Sequence, residues 1–256
     1  MGGQLKILYH YDKEVLDTID PQSYDLPLSI FLVTKQILAR ELLNKDTFVT
    51  SPKELYIFMT NSTTRPRVTV RENLIESLLR LHNLGLIELS TLDFSWSTEI
   101  EINAYDLLHD DECSYITFTS KELGKFMSQK LQDIPSLIST YLNILSYLDI
   151  GDILFIEDNG LNGFVTSKNT PNIVCYPSLD TLVAKRHSRS DKPMGIQKRT
   201  LQRKLHTLEE LGLIKIITIT QNGRTMNFYT LPKVEQYATR LANNKFNQIQ
   251  FAKGEN

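Results

Sequence analysis

Leu208-Glu209-Glu210-Leu211-Gly212-Leu213-Ile214 repeats, with two differences, an earlier stretch of the same chain, Leu81-His82-Asn83-Leu84-Gly85-Leu86-Ile87. The offset is 208 less 81, or 127 residues. Carried upstream without a gap, it sets Leu205 on Leu78, Leu201 on Leu74, Leu182 on Leu55 and Ser178 on Ser51. Self-similarity over that distance points to two copies of one structural unit. In both copies the leucines recur at helical spacing up to a glycine. Gly85 and Gly212 stand where a helix ends on a left-handed residue, which accounts for both without a functional role.

Working outward, Leu8 to Val15 and Tyr115 to Leu123 each read as a short strand followed by a helix start. Each is followed by a longer apolar helix, about residues 28–43 and 136–148. After the glycine come two strands. The second pair is the clearer: Lys215 to Thr220 alternates with β-branched residues, Asn222-Gly223 supplies a tight turn, and Thr225 to Thr230 returns. The first pair is Ile87 to Leu92, a Ser-Trp-Ser turn region, then Thr98 to Asn103. Short helix, turn, long helix and hairpin in that order are a helix-turn-helix with a wing. The expected fold is therefore α+β, mainly helical, with two tandem winged-helix domains. The expected boundaries are 1–112, 113–232, and a last segment 233–256 with a helix over Lys233 to Leu241 and a polar tail from Ala242. An extra stretch in the second unit, Asp149 to Asn172, reads as a surface hairpin or a partner contact.

The chain has 256 residues, 41% apolar and 23% charged, with 28 basic and 30 acidic side chains. That composition is globular, and a net charge of −2 makes any nucleic-acid contact local. Charge is unevenly spread. From Lys185 to Lys204 there are eight cations (Lys185, Arg186, Arg189, Lys192, Lys198, Arg199, Arg203 and Lys204) and one acid, Asp191. With Leu201, Leu205 and Leu208 buried, Arg199, Gln202, Arg203 and His206 share the outward face of the long helix. Arg can pair with guanine and Gln with adenine, so this face suits the major groove of double-stranded DNA. Arg224, beside the wing turn, is a candidate phosphate or minor-groove contact, or simply solvated.

The 127-residue offset gives the other unit an opposite face: Arg199 becomes Glu72, Gln202 becomes Ile75, Arg203 becomes Glu76 and His206 becomes Leu79. Its wing and the following loop, Asp93 to Glu112, hold seven acids and no Lys or Arg. The first unit is thus expected to contact protein, with Ile75 and Leu79 exposed for a partner, most simply a second copy of the chain. The alternative packs them under a neighbouring segment. Arg65, Arg67, Arg71 and Arg80 could still touch a DNA backbone.

Pro177-Ser178-Leu179-Asp180-Thr181-Leu182, then Gln197-Lys198-Arg199-Thr200-Leu201-Gln202-Arg203, then Leu208 to Ile214 resemble the winged-helix domain of replication initiators and replisome organisers from plasmids and phages of low-GC Gram-positive bacteria. The resemblance covers about Ser114 to Leu231 and implies origin or operator binding through the positions just named. The chain departs from that pattern in a longer link, His187 to Gly195, and in Gln197 where a serine cap is common.

Other chemistries lack their residues. There is no P-loop, no Gly-x-Ser-x-Gly elbow, and no His-x-His among the five histidines. His109 with Asp110, Asp111 and Glu112 reads as a solvated acidic loop. Cys113 and Cys175 read as reduced structural thiols. The expectation is a cytoplasmic protein with no catalytic site, metal or cofactor and no membrane span, acting as an origin binder. A transcriptional regulator with the same reading head, or a protein-binding scaffold, are the alternatives.

Overall fold

A computed structural model describes residues 8–107, 115–159 and 171–254. The chain is mainly helical α+β with small antiparallel sheets, and it divides into two compact units, Met1–Ser139 and Thr140–Asn256.

The first unit opens with strand β1 (Leu8–Asp12) and helix α1 (Lys13–Thr18). Helix α2 (Asp25–Leu43) carries the core: Leu26, Leu28, Ile30, Phe31, Leu32 and Val33 are all buried. A consecutive run of this kind marks a helix covered on most sides. It stops at Asn44 in the left-handed region, where the Asn44 N–H donates to Arg40 and the Lys45 N–H to Ala39. Strand β2 (Phe48–Thr50) leads into α3 (Pro52–Thr60), which starts on a capping box of Ser51 and Glu54 with Pro52 in the first turn. Then come α4 (Val68–Asn83), β3 (Glu88–Leu89) and β4 (Ile100–Asn103). The sheet order is β2-β4-β3, so both short strands flank the returning arm of the hairpin. The hairpin tip folds back on α3: the Lys53 N–H donates to the Trp96 carbonyl, and the Trp96 ring lies 5.8 Å from that of Tyr56.

Strand β5 (Tyr115–Thr119), α5 (Ser120–Phe126) and the start of α6 (Ile134–Leu145) follow. β5 pairs antiparallel with β1, His10 opposite Thr117 at the centre. The opening strands of the two repeats thus pair with each other. This pairing groups residues up to Ser139 with the first unit and moves the boundary past the expected 112/113.

The second unit continues with α6 and then α7 (Ile150–Asn159). A helix here corrects the expected hairpin over the start of 149–172; residues 160–170 lie outside the described ones. Ile153 and Ile156 bury one side of α7, and the Asp149 carboxylate accepts from the Asp152 N–H. Asp149 and Asn172 are bonded backbone to backbone, closing the segment at its base. Then come α8 (Leu179–Ala184), α9 (Lys198–Glu210) and the hairpin β6 (Lys215–Gln221) and β7 (Arg224–Thr230). Asn222 at φ 52° and Gly223 at φ 73° make the turn expected of Asn-Gly. Helix α10 (Glu235–Gly254) ends the described chain and corrects the expected polar tail from Ala242. Val234, Ala238, Ala242 and Phe246 recur every four residues, all are buried, and the helix packs on β6 and β7. Polar residues around that narrow stripe hid it.

Candidate nucleic-acid interface

α9 is sharply two-sided. Leu201, Leu205 and Leu208 are buried, while Arg199, Gln202, Arg203 and His206 are all exposed. The four exposed residues sit at i, i+3, i+4 and i+7, so they form one row on one face. Little holds them: an Arg203 nitrogen reaches the Thr200 hydroxyl at 3.4 Å. The helix starts at Gln197, whose side chain makes no cap bond.

The rest of the cationic cluster is less uniform. Arg189, Lys192 and Lys198 are exposed, whereas Lys185 and Arg186 are half-buried. Arg186 donates from Nε to the Pro193 carbonyl at 3.2 Å, so part of its guanidinium belongs to the loop. Lys198 forms an ion pair with Asp180 of α8. Arg224 is exposed at the hairpin turn and donates to Gln250 of α10 at 3.2 Å.

The long link from α8 to α9 is built into the core. His187, Ser190 and Met194 are buried, and the Met194 N–H donates back to the Val183 carbonyl at 2.9 Å. From α6, Asn143 Nδ2 donates to the Leu182 and Lys185 carbonyls, at 3.0 and 2.6 Å, at the end of α8. Just past α6, Ser146 accepts twice from Ser188, at its hydroxyl from the Ser188 N–H and at its carbonyl from the Ser188 hydroxyl, both at 2.7 Å. These buried polar groups fix the angle at which α9 leaves α8. Sequence reading missed them, although Asn143 and Ser146 were visible as polar interruptions of an apolar helix.

In α4 the corresponding row is Glu72, Ile75, Glu76 and Leu79. Both glutamates are exposed, while Ile75 and Leu79 are half-buried, between the expected exposure and its packed alternative. The open apolar side chains of this unit lie elsewhere, Leu42 at 74% and Leu43 at 64% exposure being the extremes. Arg80 is committed within the unit. It grips the buried Asp25 carboxylate through two bonds, 2.8 and 3.1 Å, and also donates to Ser77. The Asp25 hydrogen bond, followed by the charges of Asp25 and Glu76, raises the Arg80 pKa further.

Cys175 is buried and unbridged, and burial pushes its thiol far up, so it stays protonated at neutral pH. The same burial, with Cys175 nearby, lifts Tyr229 to about 12. Cys113 and the His109 to Glu112 run lie outside the described residues. Among the described residues, no group of three or more His, Cys, Asp or Glu is arranged to hold a metal ion, and no helix is long and apolar enough to cross a membrane.

The chain matches no protein-family model, no curated protein and no solved structure.

Proposed function

We propose that the chain is a sequence-specific double-stranded DNA-binding protein built from two tandem winged helices. α9 is its reading helix and the β6–β7 hairpin its wing. The single observation that carries this reading is the row Arg199, Gln202, Arg203 and His206, exposed together on one face of a helix whose other face is buried leucine. Long planar donors in one row match base edges in the major groove. Lys185, Arg186, Arg189, Lys192, Lys198 and Arg224 supply the surrounding charge for phosphates. With the family resemblance, the reading is an origin-binding initiator of a plasmid, phage or other mobile element, without catalytic activity. A transcriptional regulator would use the same reading head.

A second reading has one supporting observation in the first unit. Glu72 and Glu76 point outward from α4, which favours protein contact there, most simply with a second copy of the chain, over base reading.

Duplexes selected by the chain from a random pool test the proposal. If about six phosphates are neutralised, log K falls with log salt at a slope near −5. Arg199→Ala and Arg203→Ala each weaken binding to the selected site about tenfold or more and relax its sequence preference. A flat salt dependence overturns the proposal.

A further inference from the structure

We infer that the first unit also touches DNA, through a phosphate-binding turn of Arg65, Arg67 and Arg71, and that this contact is blind to sequence. The inference rests on the DNA-binding reading and extends it to the unit whose helix face cannot read bases.

The two helix-turn-helix segments keep one register at the cap of the first helix and along the body and end of the long helix, while at the turn α4 starts at Val68 and α9 three places later, at Lys198. Ser51 and Ser178 both cap the first helix through their hydroxyls. Leu74, Leu78 and Leu81 are buried as Leu201, Leu205 and Leu208 are, and Gly85 and Gly212 both have positive φ. In sequence, residue i of the first unit therefore aligns with residue i+127 of the second. In that register Arg65-Pro66 falls on Lys192-Pro193 and Arg71 on Lys198, while Arg67 falls on the buried Met194 and is a cation of the first unit alone. The charge reversal that turns Arg199 and Arg203 into Glu72 and Glu76 thus stops at the outward row. The cations of the turn remain.

Arg71 is also less neutralised than its counterpart. Lys198 is paired with Asp180, whose place in the first unit is taken by Lys53, an exposed cation. Between Asn61 and Arg71 there is no acid. Glu54 is occupied by the Ser51 capping box, leaving Glu72 as the near carboxylate. Arg65 and Arg67 are exposed, and the buried Nε of Arg71 has no hydrogen-bond partner. Arg67 stands at the cap of α4 with no side-chain cap bond, and no acid lies in the first turn. The Val70 and Arg71 N–H groups both turn back to the Arg67 carbonyl, which leaves those of Val68 and Thr69 beside the guanidiniums to suit a phosphate oxygen. The occupant we commit to is the DNA backbone, because an acid-free cationic turn complements phosphate and the unit that carries the reading face has cations, Lys192 and Lys198, at two of the three aligned places.

The test uses the full chain, a duplex selected by the wild-type protein, and an unrelated duplex of equal length, titrated by fluorescence anisotropy across salt. Each lost phosphate contact removes about 0.9 from the slope. Arg65→Gln with Arg67→Gln and Arg71→Gln should flatten the slope by about 2 to 3 and weaken both duplexes by the same factor. The double variant Arg65→Gln with Arg67→Gln alters only exposed residues and should flatten it by about 2. Lysine at all three positions should restore it. If wild-type binding is salt-dependent but both glutamine variants match it, the inference fails and the DNA-binding reading stands. A change in the ratio between duplexes overturns sequence-blindness, and a wild-type chain that binds neither duplex removes both proposals.

Discussion

α4 and α9 hide the same leucines and show solvent opposite charges. Leu74, Leu78 and Leu81 match Leu201, Leu205 and Leu208 in register and burial, whereas Glu72 and Glu76 replace Arg199 and Arg203. The contrast separates two kinds of constraint. An inner position must fill a fixed volume at native packing density, so a change there is felt at once. An outer position is answerable only to whatever approaches it. Two copies of one unit can therefore diverge freely outside and hardly at all inside.

The largest effect expected from this comparison is on the inside. Leu78→Ala and Leu205→Ala should each destabilise their own unit by about 3 kcal/mol, since both side chains are at most 3% exposed. Urea unfolding of the full chain, followed by probes in each unit, measures both. A near-zero cost at either position would break the equivalence of the two helices.

Next in size is a difference between the copies. Arg80 holds Asp25, which is 2% exposed, and its removal leaves a buried carboxylate unpaired. Because Arg80 itself is partly in solvent, Arg80→Ala should cost about 2 kcal/mol, below the range for a fully buried pair. Its counterpart, Thr207, makes a local bond to the Arg203 carbonyl, and Thr207→Ala should stay within about 0.5 kcal/mol. Equal costs would show that the Asp25 pair adds nothing specific to the first unit.

How much of this was legible in the sequence follows from the same division between inside and outside. The repeat, the α9 stripe and the Asn222-Gly223 turn were readable because each rests on a local periodicity or a local φ requirement. The pairing of β1 with β5 was not, since its partners are more than a hundred residues apart and no local signal links them. The sequence of α7 reads as a hairpin because Asp158-Asn159-Gly160 carries turn chemistry, while its apolar residues from Ile153 to Ile156 form one unbroken run that shows no clear period. The sequence of α10 reads as ending early because Ala242 and Phe246, buried past Leu241, stand among Asn, Gln and Lys residues. At the candidate site, the outward row on α9 was visible from spacing. The commitment of Arg80 to Asp25 was not, because a long side chain's partner depends on tertiary neighbours.

A smaller and equal effect is expected at the two helix ends. Gly85 at φ 71° and Gly212 at φ 59° each require a left-handed backbone. No heavy atom lies within 4 Å of a Cβ built at Gly85, so the cost there is conformational and not steric. Gly85→Ala and Gly212→Ala should each lower stability by about 1 kcal/mol in the same urea experiment. A cost at only one of them would mean that the two copies end their long helices differently.

The smallest effect is the one that most sharpens the contrast. Glu72 is exposed on α4, with no ion pair recorded among the described residues, and holds the place of Arg199. If the first unit reads no bases, Glu72→Ala removes only a screened charge near whatever phosphates Arg65 to Arg71 meet. At a Debye length of about 8–10 Å such a charge acts weakly, so affinity for the selected duplex should rise by less than about twofold. Sequence preference should not move, because no hydrogen bond to a base edge is lost. Run beside Arg199→Ala in the same anisotropy titration, the pair compares one register position in two copies. A tenfold loss at Glu72 matching that at Arg199 would mean that both long helices face bases, and the charge reversal between them would then need a different cause.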